Sequence, residues 1–199
     1  MRVLLTRPRA ESEKLAAVLA ARGIDALIEP VLRIVDLPAP PLPGDIQAVL
    51  FTSAQGVRAF ARHASAREVQ VLAVGDATAE VARALGFARV ASAAGDVGAL
   101  AALAAARLDP AAGPLLHAAG RDVAGDLAGE LSARGFRVTR AVLYAAEPVE
   151  RLSPAATEEL AAGTLAGVLL FSPARPRSLL GFSARPAWRG NPSVFSPGA

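Results

Sequence analysis

A chain of 199 residues, 53% apolar and 20% charged, has globular rather than disordered composition and enough length to bury a core in one domain or two small lobes. The absence of cysteine excludes a disulfide framework, a thiolate metal site and a thiol nucleophile. The net charge of +3 belongs to a tail: beyond Glu159, the last acidic residue, stand Arg175, Arg177, Arg185 and Arg189, and without those four, 17 basic groups face 18 acidic ones, a net of −1. The rest of the chain is therefore neutral, shows no basic stripe with interleaved aromatics, and does not read as a nucleic-acid binder.

The start, MRVLLTRPRAESEKL, has too short an apolar stretch for a signal peptide and leads into a charged helix. No apolar run approaches the ~18–20 residues that span a bilayer, so a cytoplasmic protein with no membrane contact is the expectation. In chain order, Val3–Thr6 reads as a strand, ESEKLAAVLAARG as a helix and Ala26–Glu29 as a second strand. LPAPPLPGD, residues 37–45, carries four prolines in nine residues and reads as a stiff crossing segment. Strands at Ala48–Thr52 and Val69–Val74 lead into the helical GVRAFARHA and TAEVARALG. GDVGALAAL reads as a helix capped by Asp96 rather than as a phosphate loop.

Leu115–Ala118, Val138–Tyr144 and Gly167–Phe171 read as further strands, with DVAGDLAGELSARG and SPAATEELAAG as helices between them. Gly23, Gly86, Gly135 and Gly163 stand where helices stop. Strands alternating with helices predict an α/β fold of mostly parallel, doubly wound sheets. A second crossing at YAAEPVE, residues 144–150, divides the chain into a discontinuous first lobe (1–36 plus 149–173) and an inserted second lobe (45–142). Residues 37–44 and 143–148 are then the connectors; one continuous doubly wound domain is the alternative.

From Ala174 onward the chain shows neither helical nor strand periodicity and holds four prolines, four arginines and the only tryptophan. Its composition is that of GC-rich coding DNA read in a shifted frame, and a change of frame near residues 174–178 is the expectation.

In open α/β sheets ligands lie beyond the carboxyl ends of the strands. The strand-end residues are Arg7, the run Thr52, Ser53, Ala54, Gln55 and Gly56, then Gly75, Asp76, Ala77 and Thr78, His117 through Arg121, and Ser172 with Pro173. Thr52 and Gln55 have the spacing of a capping box, and Ser172-Pro173 that of a cap followed by proline. Such turns are ordinary helix caps. They also present unpaired N–H groups at the positive ends of helices, which suits a ligand with many carboxylates. No nucleotide-binding glycine motif occurs, and His63 and His117 lack carboxylates at metal-ligand spacing. His63 reads as a surface helix residue and His117 as a candidate lining residue at a strand end. Tyr144, the only tyrosine, stands at the return crossing, where it either packs or offers a phenol to a ligand.

Taken in order, VLLTRP, FTSAQGV, AVGDATA, HAAGRDVAGDLAGELSARG, RAVLYAAEP and LLFSP make the chain resemble the uroporphyrinogen-III synthases, over residues 1 to about 173. The resemblance implies two parallel-sheet lobes with a cleft between them and a hydro-lyase that closes linear hydroxymethylbilane into uroporphyrinogen III, inverting the last ring. It implies no cofactor, no metal and a tetrapyrrole as the small-molecule partner, bound by a monomer. By the same resemblance Tyr144 matches the family's cleft tyrosine, which assists departure of the hydroxyl, and Ser53 and Thr78 match ligand-contacting turns. Arg7, Thr52, Ala54, Gln55, Gly75, Ala77 and Ser172 complete the expected substrate-binding set. The family's closing elements, on the order of 50 residues and more than one strand-helix-strand unit, are expected to be missing after Ala174, which makes turnover by this chain the question to test. The alternative is a non-catalytic two-lobed binder of a small multi-carboxylate ligand.

Overall fold

The computed structural model describes residues 1–65 and 67–170, and these form nine strands and six helices. The expected strand at 167–171 is seen as Gly167–Leu169, and the expected break near 174 lies outside the described residues. The chain divides into two compact units, one built from Met1–Ile34 together with the chain from Glu147 onward, the other from Val35–Ala146.

The first unit holds a three-stranded parallel sheet in which β1 (Arg2–Leu5) lies between β2 (Asp25–Ile28) and β9 (Gly167–Leu169). Its first helix, α1 (Arg9–Ala20), ends in a turn closed by Gly23 at φ 71°, a left-handed conformation that favours glycine. Helix α6 (Pro154–Ala162) starts behind Ser153, whose hydroxyl accepts the Ala156 N–H, and stops at Gly163 in the same left-handed region. Leu4, Ala156 and Leu165 form a small core there, with Leu27, Leu152, Leu160 and Val168 packed against it. Buried Glu29, directly after β2, receives both the Ser153 N–H (2.8 Å) and the Ser153 hydroxyl (2.7 Å), so a carboxylate fixes the start of α6 from 124 positions away.

The second unit is centred on a six-stranded sheet in the order β3-β8-β7-β4-β5-β6. Its strands are β3 (Leu32–Asp36), β4 (Ala48–Phe51), β5 (Gln70–Ala73), β6 (Val90–Ser92), β7 (Leu115–Gly120) and β8 (Val138–Pro148). The pairs β8-β7, β7-β4, β4-β5 and β5-β6 are all parallel. β4 and β7 are buried along their whole length because helices cover both faces, which explains why AVLF and LLHAAG are nearly unbroken apolar runs rather than alternating ones.

One face packs on α2 (Ala54–His63) and α3 (Asp76–Ala84), through Phe51, Phe60 and Phe87, whose ring centroids stand 5.7, 6.2 and 6.1 Å apart. The other packs on α4 (Val97–Arg107) and α5 (Leu127–Ser132), through Leu50, Leu72, Leu100, Leu115 and Leu131. The proline-rich stretch 37–45 forms neither strand nor helix, and its Ala39 and Leu42 cover the aromatic side of this core.

Four elements differ from the sequence reading. β3 and β6 were not foreseen, being short and only partly buried, with little periodicity to betray them. β8 runs on past Tyr144 to Pro148, and proline is tolerated there because β7 ends at Gly120, opposite Tyr144, so this stretch of β8 has no ladder partner on that side. α5 begins only at Leu127, five residues after the start of the helical stretch DVAGDLAGELSARG, because Asp126 supplies the cap, its Oδ1 accepting the Gly129 N–H at 2.9 Å.

Candidate functional site

The carboxyl ends of β8, β7, β4 and β5 stand side by side, and the turns after them hold most of the strand-end residues singled out above. At the end of β4 the backbone of Ser53 is extended (φ −158°, ψ 154°), and its hydroxyl accepts the Gly56 N–H at 3.0 Å. Ser53, not Thr52, is therefore the cap, and the expected Thr52–Gln55 capping box is not formed. The helix begins one residue too late for it, which puts Gln55 second rather than third in the helix. The first turn of α2 lies hard against β7: a Cβ on Gly56 would stand 2.7 Å from the carbonyl oxygen of Ala118.

Tyr144 enters from two strands away. Ala119 pairs with Val142, but the register then slips, so that Gly120 pairs with Tyr144 where an unbroken ladder would pair it with Leu143. A bulge of this kind adds a residue and re-aims the side chains beyond it. The ring of Tyr144 rests on Gly120, where a Cβ would lie 2.8 Å from both Cε2 and Cζ. Crossing β7 in this way, its hydroxyl comes within 2.8 Å of Ser53 Oγ. Backbone bonds hold the corner, with the Arg121 N–H donating to the Tyr144 carbonyl at 2.8 Å. The Arg140 guanidinium donates to the carbonyls of Gly120 (2.7 Å) and Arg121 (2.6 Å).

His117 is buried, 3% exposed, with Nε2 at 3.2 Å from the Thr52 hydroxyl. Burial first, and the nearby Arg140 charge second, push its pKa down to about 4. The imidazole is thus neutral near pH 7 and serves as a hydrogen-bond partner for the turn. Although it stands at a strand end, where it was one candidate for a lining residue, it is buried, because side chains alternate across β7 and its face is covered by α4 and α5. His63 is exposed on α2, as expected.

The remaining expected residues are spread more widely. Gly75 is the cap residue of α3, Asp76 and Ala77 are exposed in its first turn, and Thr78 is buried beside them, its N–H donating to the Gly75 carbonyl at 3.1 Å. Ala54 and Gln55 are half-buried in the first turn of α2. Arg7 is exposed after β1 in the first unit, where its carbonyl accepts the Ser12 hydroxyl at 2.9 Å. Ser172 lies outside the described residues.

Helix ends set the electrostatics. α4 and α5 are capped by the carboxylates of Asp96 and Asp126, and α3 carries Asp76 in its first turn. α2 has no acidic residue in its first turn. Of these four positive helix ends, that of α2 is the one its own residues leave uncompensated, and it is the one beside the Tyr144 phenol. Among the described residues no group of three or more His, Asp or Glu side chains lies together in a metal-holding arrangement.

Sequence reasoning named Gly56 and Gly120 only as strand-end residues, without the close approaches that make each of them matter, and it missed Arg140. Gly120 left one signal, a glycine inside a strand otherwise made of buried side chains, which often marks a bulge or a close approach.

Comparison with known proteins gives one family: residues 13–199 match the model described as Uroporphyrinogen-III synthase HemD. The match begins later than the motifs do and continues past residue 173, where the motif-based resemblance stops. Among solved structures, the chain resembles a mutant uroporphyrinogen III synthase from Thermus thermophilus, with 19% identity, 91% of this chain and 77% of that one covered, and a TM-score of 0.54. It also resembles uroporphyrinogen-III synthetase from Helicobacter pylori 26695, with 15% identity, 90% and 78% covered, and a TM-score of 0.58. At such identities these likenesses speak for the fold. No curated protein sequence matches.

Proposed function

This chain belongs to the uroporphyrinogen-III synthase family, and we propose that it closes hydroxymethylbilane into uroporphyrinogen III with release of water. The observation that supports this reading most directly is the 2.8 Å contact between the hydroxyls of Tyr144 and Ser53 beside the start of α2. Ser53 Oγ accepts the Gly56 N–H, which leaves its own proton to donate to the phenolic oxygen. Tyr144 is then free to direct its O–H outward, at the terminal hydroxyl of the substrate. Departure of that hydroxyl takes the phenol's proton and leaves as water, giving an azafulvene electrophile. The negative charge left on the phenolate falls beside a Ser53 donor and an uncompensated helix N-terminus, both of which stabilise it.

Attack by the substituted carbon of the last ring on the azafulvene carbon forms a spiro intermediate. Breaking the bond between that ring and its old neighbour, then reclosing at the freed carbon, inverts the ring. Loss of the ring proton restores aromaticity and returns a proton to the phenolate. Little acid/base machinery is needed beyond this. The larger task is restraint of a flexible substrate, so that spiro attack beats head-to-tail closure. Arg7, Thr52, Ala54, Gln55, Gly75, Ala77, Thr78 and Ser172 are proposed to bind its carboxylates and pyrroles. We place the reaction in the cytoplasm, with the chain acting as a monomer.

The test is to supply the purified chain with freshly generated hydroxymethylbilane and resolve the isomers after oxidation. Formation of the type III isomer above the uncatalysed background is the expected result. Exclusive type I product, the outcome of spontaneous closure, overturns the reading and favours a binding protein.

A further inference from the structure

Resting on the role of Tyr144 above, we propose that Gly120 is a positioning residue for the reaction: its missing side chain is the seat that carries the Tyr144 ring across β7 to Ser53. Three observations support this. Tyr144 and Ser53 belong to β8 and to the turn after β4, and β7 separates those strands. The ring cannot reach Ser53 without passing over β7, and it passes over at Gly120, where a Cβ would be 2.8 Å from Cε2 and Cζ and 3.1 Å from the hydroxyl oxygen. The register slip between Ala119 and Gly120 brings Tyr144 rather than Leu143 opposite that glycine.

The glycine is not explained by its backbone. Gly120 is absent from the positive-φ residues, so an alanine is sterically compatible with the main chain there. What an alanine meets is the aromatic ring, at a distance Cβ atoms do not tolerate. The ring has to lift away or slide, and either movement lengthens the 2.8 Å bond to Ser53. Both Gly120 and Arg121 also offer their carbonyls to Arg140, which holds the seat itself in place.

Because Tyr144 is the only tyrosine, ring-13C-tyrosine labelling of the full chain gives a single tyrosine signal and a direct view of the seat. Gly120→Ala should move that signal, as Ser53→Ala should. Turnover should fall about 10²-fold with KM within about twofold, since an ångström-scale misplacement of a reacting group costs that much. An unmoved signal in folded Gly120→Ala overturns the proposal. A stability cycle covers the case in which Gly120→Ala does not fold: Gly120→Ala made in a Tyr144→Ala background should recover the lost stability, because the obstructing ring is gone. Equal destabilisation in both backgrounds shows that the glycine serves something other than the ring and overturns the proposal as well. Absence of type III product from the wild-type chain refutes the catalytic reading, whereas the signal and the cycle judge the seat by themselves.

Discussion

Tyr144 and Ser53 share a 2.8 Å hydroxyl–hydroxyl contact although the strands that bring them are separated by β7. A contact made across a third strand depends on all three strands keeping their register. It is therefore more easily lost than one between neighbours, and its loss is measurable on either side.

Tyr144→Phe keeps the ring on Gly120 and removes only the hydroxyl. Turnover of hydroxymethylbilane should fall about 10²–10³-fold, with KM nearly unchanged. Ser53→Ala should lower turnover less, about tenfold, and also cost about 1 kcal/mol of stability as a lost helix cap. Isomer-resolved chromatography and urea unfolding separate the two effects. A Tyr144→Phe enzyme with full turnover would exclude the phenol as proton donor.

Gly56→Ala should destabilise the second unit by about 1–3 kcal/mol through overpacking. The reason is the 2.7 Å approach to the Ala118 carbonyl, a backbone atom that has no rotamer by which to yield. The midpoint of chemical unfolding reports this directly, and a neutral outcome would mean that α2 can shift away from β7 at little cost.

His117 sets a pH dependence. Its folded pKa of about 4 lies below the ordinary 6.5, so between those values the unfolded chain binds a proton that the folded chain does not. Stability is therefore intact above about pH 6.5 and falls as pH drops toward 4, by about 2 kcal/mol at pH 5 and about 3 kcal/mol in all. His117→Leu should flatten this part of the curve. If wild type and variant lose stability in parallel between pH 7 and 5, the buried imidazole is not responsible.

In the first unit, Ser153→Ala removes the α6 cap and the hydroxyl that donates to buried Glu29, leaving that carboxylate the backbone N–H of residue 153. A loss of about 2–3 kcal/mol is expected, because a buried acceptor is left short of a donor. Urea titration of the variant checks it, and a change under about 0.5 kcal/mol would show that Glu29 finds a replacement donor.

Much of the fold was legible because its signals are local. Gly23, Gly86, Gly135 and Gly163 all take positive φ, a conformation that one residue type favours for reasons internal to the backbone. Asp96 caps α4 as its position suggested, its Oδ1 accepting the Ala99 N–H at 3.0 Å. The weak strands β3 and β6 left no comparable mark, since edge pairing is decided by neighbours distant in sequence.

The candidate site shows the same division. That hydroxyl residues follow β4, that glycine ends β7 and that a single tyrosine lies in β8 can be read from the chain, as can the α/β class, because alternation of strand and helix patterns needs only nearby residues. Tertiary structure decided that Ser53 rather than Thr52 caps α2, that Thr52 turns instead to buried His117, and that Tyr144 crosses β7 to meet Ser53. Each of these depends on where a helix starts, or where a ladder slips, by a single residue. Such one-residue shifts are set by packing among elements up to 91 positions apart, which no local pattern records.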